Sequence, residues 1–341
     1  MKIKVNKIHL KNILLKQLKY YLKIDIISFQ TYNNFLKMIE LYPDYHIKIY
    51  NNINKLNNKK IPLYNITHKN EPNFIILSSG QSNAGGWGSN YDQNSEIDQK
   101  NKNIFSYNTH LQKWVIADLE NNSLGDKNLC RTPKRNLFVF QFAKHLINAY
   151  PGIKPGIINI CDAAEPISSW TKFEENEEFY DEYLRTIKYT ETKKGYFVFE
   201  NIKKNLQNAK LQLLHFSKKI FDVVIWHQGE SDYITKSNKK YYEVALKKVI
   251  DQFSELNNNE LTPFISGTLL DYYKKNFNSD PINNIIRNIN NRFYAYAELS
   301  KLEATEDGMH FTTESTRIGG KLYFDTYQKL IQKFKKEGLD E

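Results

Sequence analysis

From Asn73 onward the chain alternates short, uninterrupted apolar runs with longer segments of helical period, and that alternation limits the fold more than any other feature. "NFIILSS", "GIINICD", "DVVIWHQ" and "TPFISGTLL" read as strands. "LFVFQFAKHLINAY", "VFENIKKNLQNAKLQLLHF", "YYEVALKKVIDQFSEL" and "STRIGGKLYFDTYQKLIQKF" read as the helices between and after them. A strand that is apolar on consecutive residues has both faces covered, and strands separated by helices run parallel. The expectation is an α/β protein, a three-layer α/β/α sandwich with a mostly parallel central sheet. Such sheets bind ligands beyond the carboxyl ends of their strands. The segments to watch are therefore "GQSN", "DAAEPISSW" and "HQGESD".

The pattern is weaker before residue 73. Residues 1–72 are set aside as an extension of unknown role, with a helix over "FQTYNNFLKMIELY" and "NNINKLNNKK" as linker. Residues 73–335 form the main domain and 336–341 a tail. Within the domain, the charged stretch 171–196 is a candidate lid insertion, because long loops beside a cleft often act so. The N-terminus has the basic start of a signal peptide, but lysines interrupt its apolar runs and no cleavage site follows. No run approaches the roughly 18 apolar residues of a membrane span. A cytoplasmic location is expected.

Lys plus Arg exceed Asp plus Glu by 48 to 38, a net charge of +10, but the excess is spread along the chain and no nucleic-acid motif accompanies it. No nucleic-acid partner is expected. The two cysteines, Cys130 and Cys161, make no disulfide framework and have no metal-ligand spacing.

A serine hydroxyl acts as a nucleophile only when a base takes its proton, a third group orients that base and donors await the oxyanion. Ser82 follows a strand directly, so it reads either as a nucleophile or as the cap of a following helix. Gly80, Gly85 and Gly86 around it would let a substrate approach the backbone. Near the far end, Asp307 and His310 lie three residues apart, a spacing at which a carboxylate can hold Nδ1 and leave Nε2 for a serine. A surface histidine, or a cap to "TTES", is the other reading. Gln228 follows a strand and carries an amide that could donate to an oxyanion. Glu230 and Asp232 could orient neighbours, and His227 is a rival base.

Taken together, "GQSN" at 80–83, "WHQGESD" at 226–232 and "DGMH" at 307–310 resemble motif blocks of the SGNH hydrolase superfamily. The resemblance is to its sialate O-acetylesterase-like branch, which includes the family 6 carbohydrate esterases. It covers residues 73–335 and implies Ser82 as nucleophile, His310 as general base and Asp307 as its orienter. It also implies an oxyanion hole of the Ser82 N–H, a backbone N–H at Ala164 and the Gln228 amide. Where relatives read "GGTSI-x-x-W" this chain has "AAEPISSW", with Ala163 and Ala164 in place of glycines. The N–H survives that change unless φ must be positive.

The implied reaction is hydrolysis of a small acyl ester, above all acetyl, on a carbohydrate, with no metal and no cofactor. Gln81, Asn83, Trp87, Glu165, Trp170 and Glu230 are the candidate substrate contacts. Glu165 and the acidic part of 171–196 would disfavour an anionic sugar. The rival readings are an acyltransferase using the same residues and a non-catalytic glycan-binding protein.

Overall fold

Asn70–Glu341 forms one unit, separate from the residues before it. The computed structural model describes residues 71–109, 111–120, 134–210, 212–213, 220–258, 261–271 and 279–339. The extension up to residue 70 and Cys130 lie outside the described residues.

The described strands are β1 (Phe74–Gly80), β2 (Phe105–Asn108), β3 (Lys113–Ile116), β4 (Pro155–Cys161), β5 (Val223–His227), β6 (Phe264–Gly267) and β7 (Tyr294–Ala297). They form one sheet in the order β3-β2-β4-β1-β5-β6-β7. Every pairing is parallel except the β2–β3 hairpin at one edge. The helices are α1 (Phe138–Ala149), α2 (Tyr180–Thr186), α3 (Phe197–Lys210), α4 (Glu230–Ile234), α5 (Lys239–Leu256), α6 (Asp280–Asn288) and α7 (Thr313–Lys336).

Side chains alternate across the sheet, so consecutive apolar residues feed two cores. Ile75 and Leu77 of β1 join Ile158, Val224 and Trp226 under α3, α5 and α6. Ile76 joins Ile157, Val223, Ile225 and Ile265 under α1 and α7. This is the three-layer sandwich that the strand composition demands. On the second face α1 and α7 approach closely, because a Cβ on Gly320 would stand 2.8 Å from the Phe138 carbonyl oxygen. The helix α7 itself begins at Thr313, three residues after His310.

Strand β1 lies at the centre, with β4 on one side and β5 on the other. The connection order reverses here, and the crevice beyond the carboxyl ends of β4, β1 and β5 is where such sheets take ligands. The three polar segments noted in the sequence leave the sheet at this end. Among the described residues, no helix is long and apolar enough to cross a membrane.

Candidate active site

Strand β1 ends at Gly80, and the chain turns at once: the Gln81 N–H donates to the His227 carbonyl, then Gly85, Gly86 and Trp87 donate back to the carbonyls of Gln81, Asn83 and Ser82. These are linked turns from Gln81 to Gly88 rather than a helix. The helix that Ser82 would have capped is therefore not there. Gly80 and Gly86 are required by the protein's own packing, whereas a Cβ on Gly85 would meet only ordinary contacts. A Cβ on Gly80 would lie 2.0 Å from the His227 carbonyl oxygen, and one on Gly86 2.2 Å from that of Asn136.

His310 and Asp307 share a short hairpin closed by an Ala304–Phe311 bridge and by the Thr305 N–H donating to the His310 carbonyl at 2.7 Å. One oxygen of Asp307 accepts from the Thr305 hydroxyl and from the N–H groups of Met309 and His310, at 2.9, 2.7 and 2.9 Å. Its other oxygen lies 2.6 Å from His310 Nδ1. The three-residue spacing lets one carboxylate hold both the backbone and the ring of the histidine. With Nδ1 bound to that carboxylate, Nε2 is the acceptor for the Ser82 hydroxyl, 3.0 Å away. Partial burial works against the charge on Asp307, but the bonds from the His310 ring and the three other donors prevail and hold its carboxyl well below the usual range. Directly after the hairpin, Thr312 caps α7 through the Ser315 N–H. The cap at "TTES" is therefore made by Thr312 and not by His310.

The hairpin is fastened to the serine turn by Asn83. Its amide nitrogen donates to the Met309 carbonyl at 3.1 Å and its amide oxygen accepts from the Phe311 N–H at 3.2 Å, one bond on each side of His310. The same nitrogen donates to Glu230 at 2.7 Å. Glu230 is buried beside His227, whose Nε2 lies 3.2 Å from it and whose Nδ1 faces the Tyr323 hydroxyl at 3.3 Å. Burial opposes the charge on Glu230, and the His227 ring with the Asn83 amide outweighs it, so the carboxyl sits below its usual range. His227, the rival base, has both ring nitrogens occupied away from Ser82.

The second polar segment, after β4, is buried from Glu165 to Trp170. Glu165 is buried, one oxygen accepting from the Ser169 hydroxyl at 2.6 Å and the other from the Glu191 N–H at 2.8 Å, and burial pushes its carboxyl up. Gln228, expected as an oxyanion donor, is fully buried. Its amide nitrogen donates to Asp232 at 2.5 Å and to the Glu165 carbonyl at 3.2 Å, which uses both hydrogens. In this arrangement the side chain ties the second segment to α4 and leaves no N–H for an oxyanion. Asp232 also accepts from the Ile167 N–H and the Ser237 hydroxyl, and its burial pushes its pKa up to about 6.

Ala164 is exposed at φ +61°, so the positive φ that glycine would accept is present and alanine adopts it, at a cost of about 1 kcal/mol. Among the described residues, the N–H groups of Ser82 and Ala164 have no acceptor.

Of the candidate substrate contacts, only Trp87 is partly exposed. Its ring is tilted against that of His310 with centroids 6.0 Å apart, and the Arg135 guanidinium lies 4.3 Å over it. Trp170, a candidate substrate contact, is instead fully buried: its ring meets Trp226 edge-on and its indole N–H donates to the Ser79 hydroxyl at 2.9 Å. Gln81 is buried with its amide oxygen accepting from the N–H groups of Gly229 and Ser231, and Asn83, Glu165 and Glu230 are likewise spent within the protein. Sequence reasoning missed Arg135, whose place over Trp87 has no local signature.

In the 171–196 stretch, Phe173 and Tyr183 are buried, and four of the acidic residues have cationic partners, whereas Glu175 and Asp181 are exposed. Lys172 pairs with Glu174, Lys248 with Glu177, Lys240 with Glu178 and Arg185 with Glu182. One oxygen each of Asp162, Glu165 and Glu191 lie within 4.8 Å of one another. The Glu165 oxygens are already hydrogen-bonded as described.

The fold, a seven-stranded and mostly parallel sheet between helices, has counterparts among solved structures. It is shared with a structurally solved protein from Arabidopsis thaliana, at 16% identity over 76% of this chain and 99% of that one with a TM-score of 0.57. It is shared too with NanS, at 14% identity over 78% and 99% with a TM-score of 0.53. A search of the curated proteins finds no sequence match. Residues 72–329 match the model of one family, carbohydrate esterases described as sialic acid-specific acetylesterases, and the chain belongs to that family.

Proposed function

We propose that the protein hydrolyses an acetyl ester on a carbohydrate hydroxyl through Ser82, His310 and Asp307. The observation that carries this reading is the unbroken run of short contacts from Ser82 Oγ to His310 Nε2 and from Nδ1 to Asp307. Ser82 Oγ attacks the ester carbonyl as its proton passes to His310 Nε2, and the ionised Asp307 holds the imidazolium that results. The N–H groups of Ser82 and Ala164 are the donors assigned to the oxyanion, and Gln228 is assigned a supporting role behind them. Collapse of the tetrahedral species returns the proton to the departing sugar hydroxyl and leaves an acetyl-serine. Water, deprotonated by the same imidazole, then releases acetate and restores Ser82.

An acidic sugar such as an acetylated sialic acid fits this crevice better than the sequence implied. Glu165 is buried and Glu174, Glu177, Glu178 and Glu182 are paired with cations, while the Arg135 cation sits on Trp87 at the edge of His310. The family description points the same way.

The test is acetate release from a set of O-acetylated glycans, neutral and sialylated, with Ser82→Ala as the blank and an acceptor glycan in a parallel arm. Loss on the order of 10⁴-fold in the blank is expected. Retention of more than about a tenth of the rate would remove Ser82 as nucleophile. Acetyl transfer to the acceptor in place of free acetate would make the protein an acyltransferase.

A further inference from the structure

Gly88 closes the serine turn with φ +83°, and the place where its side chain would begin is already filled. A Cβ there would stand 2.5 Å from the His310 Cβ, 3.0 Å from the Phe311 carbonyl oxygen and 3.2 Å from Thr305 Cγ2. The first of these atoms cannot swing aside like the end of a long side chain. The backbone of His310 is pinned at its N–H by Asp307 and at its carbonyl by the Thr305 N–H.

Behind Gly88 runs a strap, residues 88–98, that is tied to both helices of this face. The Ser89 hydroxyl donates to the Asn136 carbonyl at 2.7 Å, and the Asn90 N–H donates to Thr313 Oγ1 at 2.8 Å. Asp98, fully buried, accepts from Arg317 of α7 at 2.8 Å, from Asn136 at 2.7 Å and from Gln141 of α1 at 3.0 Å. None of these groups touches Ser82 or Asp307. They determine where Gly88 lies, and Gly88 lies against His310.

We infer that Gly88 is a positioning residue: its bare Cα, held by the 88–98 strap, seats the His310 hairpin at reaction distance from Ser82. The inference rests on the esterase reading for its kinetic test and on geometry alone for its spectroscopic one. A Cβ at 88 would press about 1 Å into His310 Cβ, and where the strap holds residue 88 in place the histidine gives way, a misplacement that costs about 10²-fold in rate when it separates a base from its nucleophile.

The experiment compares Gly88→Ala with Gly152→Ala. Gly152 also has a positive φ, +94°, but nothing lies within 4 Å of where its Cβ would be, so the pair separates backbone strain from the push on His310. Gly88→Ala should lower kcat about 10²-fold with KM changed less than about two-fold, and Gly152→Ala should leave both within about two-fold. The low-field proton resonance of the His310–Asp307 contact should shift or broaden in Gly88→Ala only. A wild-type kcat and resonance in Gly88→Ala, or an equal loss in Gly152→Ala, overturns the inference. If the wild-type protein releases no acetate from any substrate, the esterase reading fails by itself and the resonance decides this one. If far-ultraviolet circular dichroism shows Gly88→Ala unfolded, Thr313→Val takes its place, since it removes the acceptor of the Asn90 N–H without adding bulk. A roughly five-fold fall in kcat at constant KM, with the resonance moved, supports the strap, and wild-type values for both overturn it.

Discussion

Two aspartates at the carboxyl end of the sheet are treated in opposite ways. Asp307 accepts from the Thr305 hydroxyl, two backbone N–H groups and the His310 ring, and about half of its side chain faces solvent. Its carboxyl is held well below the usual range. Asp232 accepts from an amide, a backbone N–H and a hydroxyl, yet it is wholly buried and its pKa rises to about 6. The hydrogen bonds are comparable in kind, and what differs most is burial, partial for Asp307 and complete for Asp232. In the proposed mechanism Asp307 must stay charged to steady an imidazolium, and it is left beside solvent. A carboxylate that only braces the scaffold is kept dry, where its charge is disfavoured.

The sharpest way to break this contrast is Asp307→Asn, which keeps the shape and removes the charge. Activity should fall by up to about 10⁴-fold with substrate binding largely intact, read as kcat against KM. An unchanged rate would transfer the orienting role to another carboxylate. Gln228→Ala comes next. As a strut between the second segment and α4 it should cost about ten-fold in kcat, whereas a loss of about 10² to 10³ at constant KM would put its amide at the oxyanion.

The pH dependence of stability separates the two aspartates by sign. For Asp232 the folded value of about 6 exceeds the unfolded 3.8, so its stabilising proton is fully present below pH 3.8 and is lost as pH rises through 6. Asp232→Asn should flatten that fall, about 3 kcal/mol at most, in urea unfolding between pH 4 and 7. Asp307 is depressed, so its contribution is present above its unfolded value of 3.8 and disappears as pH falls below it. Asp307→Asn should flatten only the acid side. A parallel response of the two variants would erase the distinction.

The smallest effect is expected from changing Glu174, Glu175, Glu177 and Glu178 together to glutamine. Three of the four are paired with Lys172, Lys248 and Lys240, so their field on a ligand is already offset. The ratio of kcat/KM for an acetylated sialic acid to that for a neutral sugar should move by less than about two-fold. A selective gain on the sialic acid would restore the acidic lid.

The layered architecture was legible because it is written in local pattern. Runs such as "FIIL" and "VVIW" are apolar on consecutive residues only if both faces are covered, and the helices between them carry a helical period. What escaped notice was short and mixed in composition: β2 and β3 around "FSYN" and "KWVI", β7 in "YAYA", and α6. A four-residue strand that gains its stability from neighbours in the sheet has little signal of its own.

At the site the division follows the same physics. The D-x-x-H spacing of Asp307 and His310 is a local device, since one carboxylate can reach both the N–H and the ring of a residue three positions on, and a sequence displays it. Whether Ser82 stood within reach depended on contacts between residues more than two hundred positions apart, above all Asn83 to Met309 and Phe311. The fates of Gln228, Trp170 and Glu165 were likewise settled by burial. A side chain's chemistry is printed in the sequence, but how much water it keeps is decided only when the chain packs, and that decides which polar groups react and which ones brace.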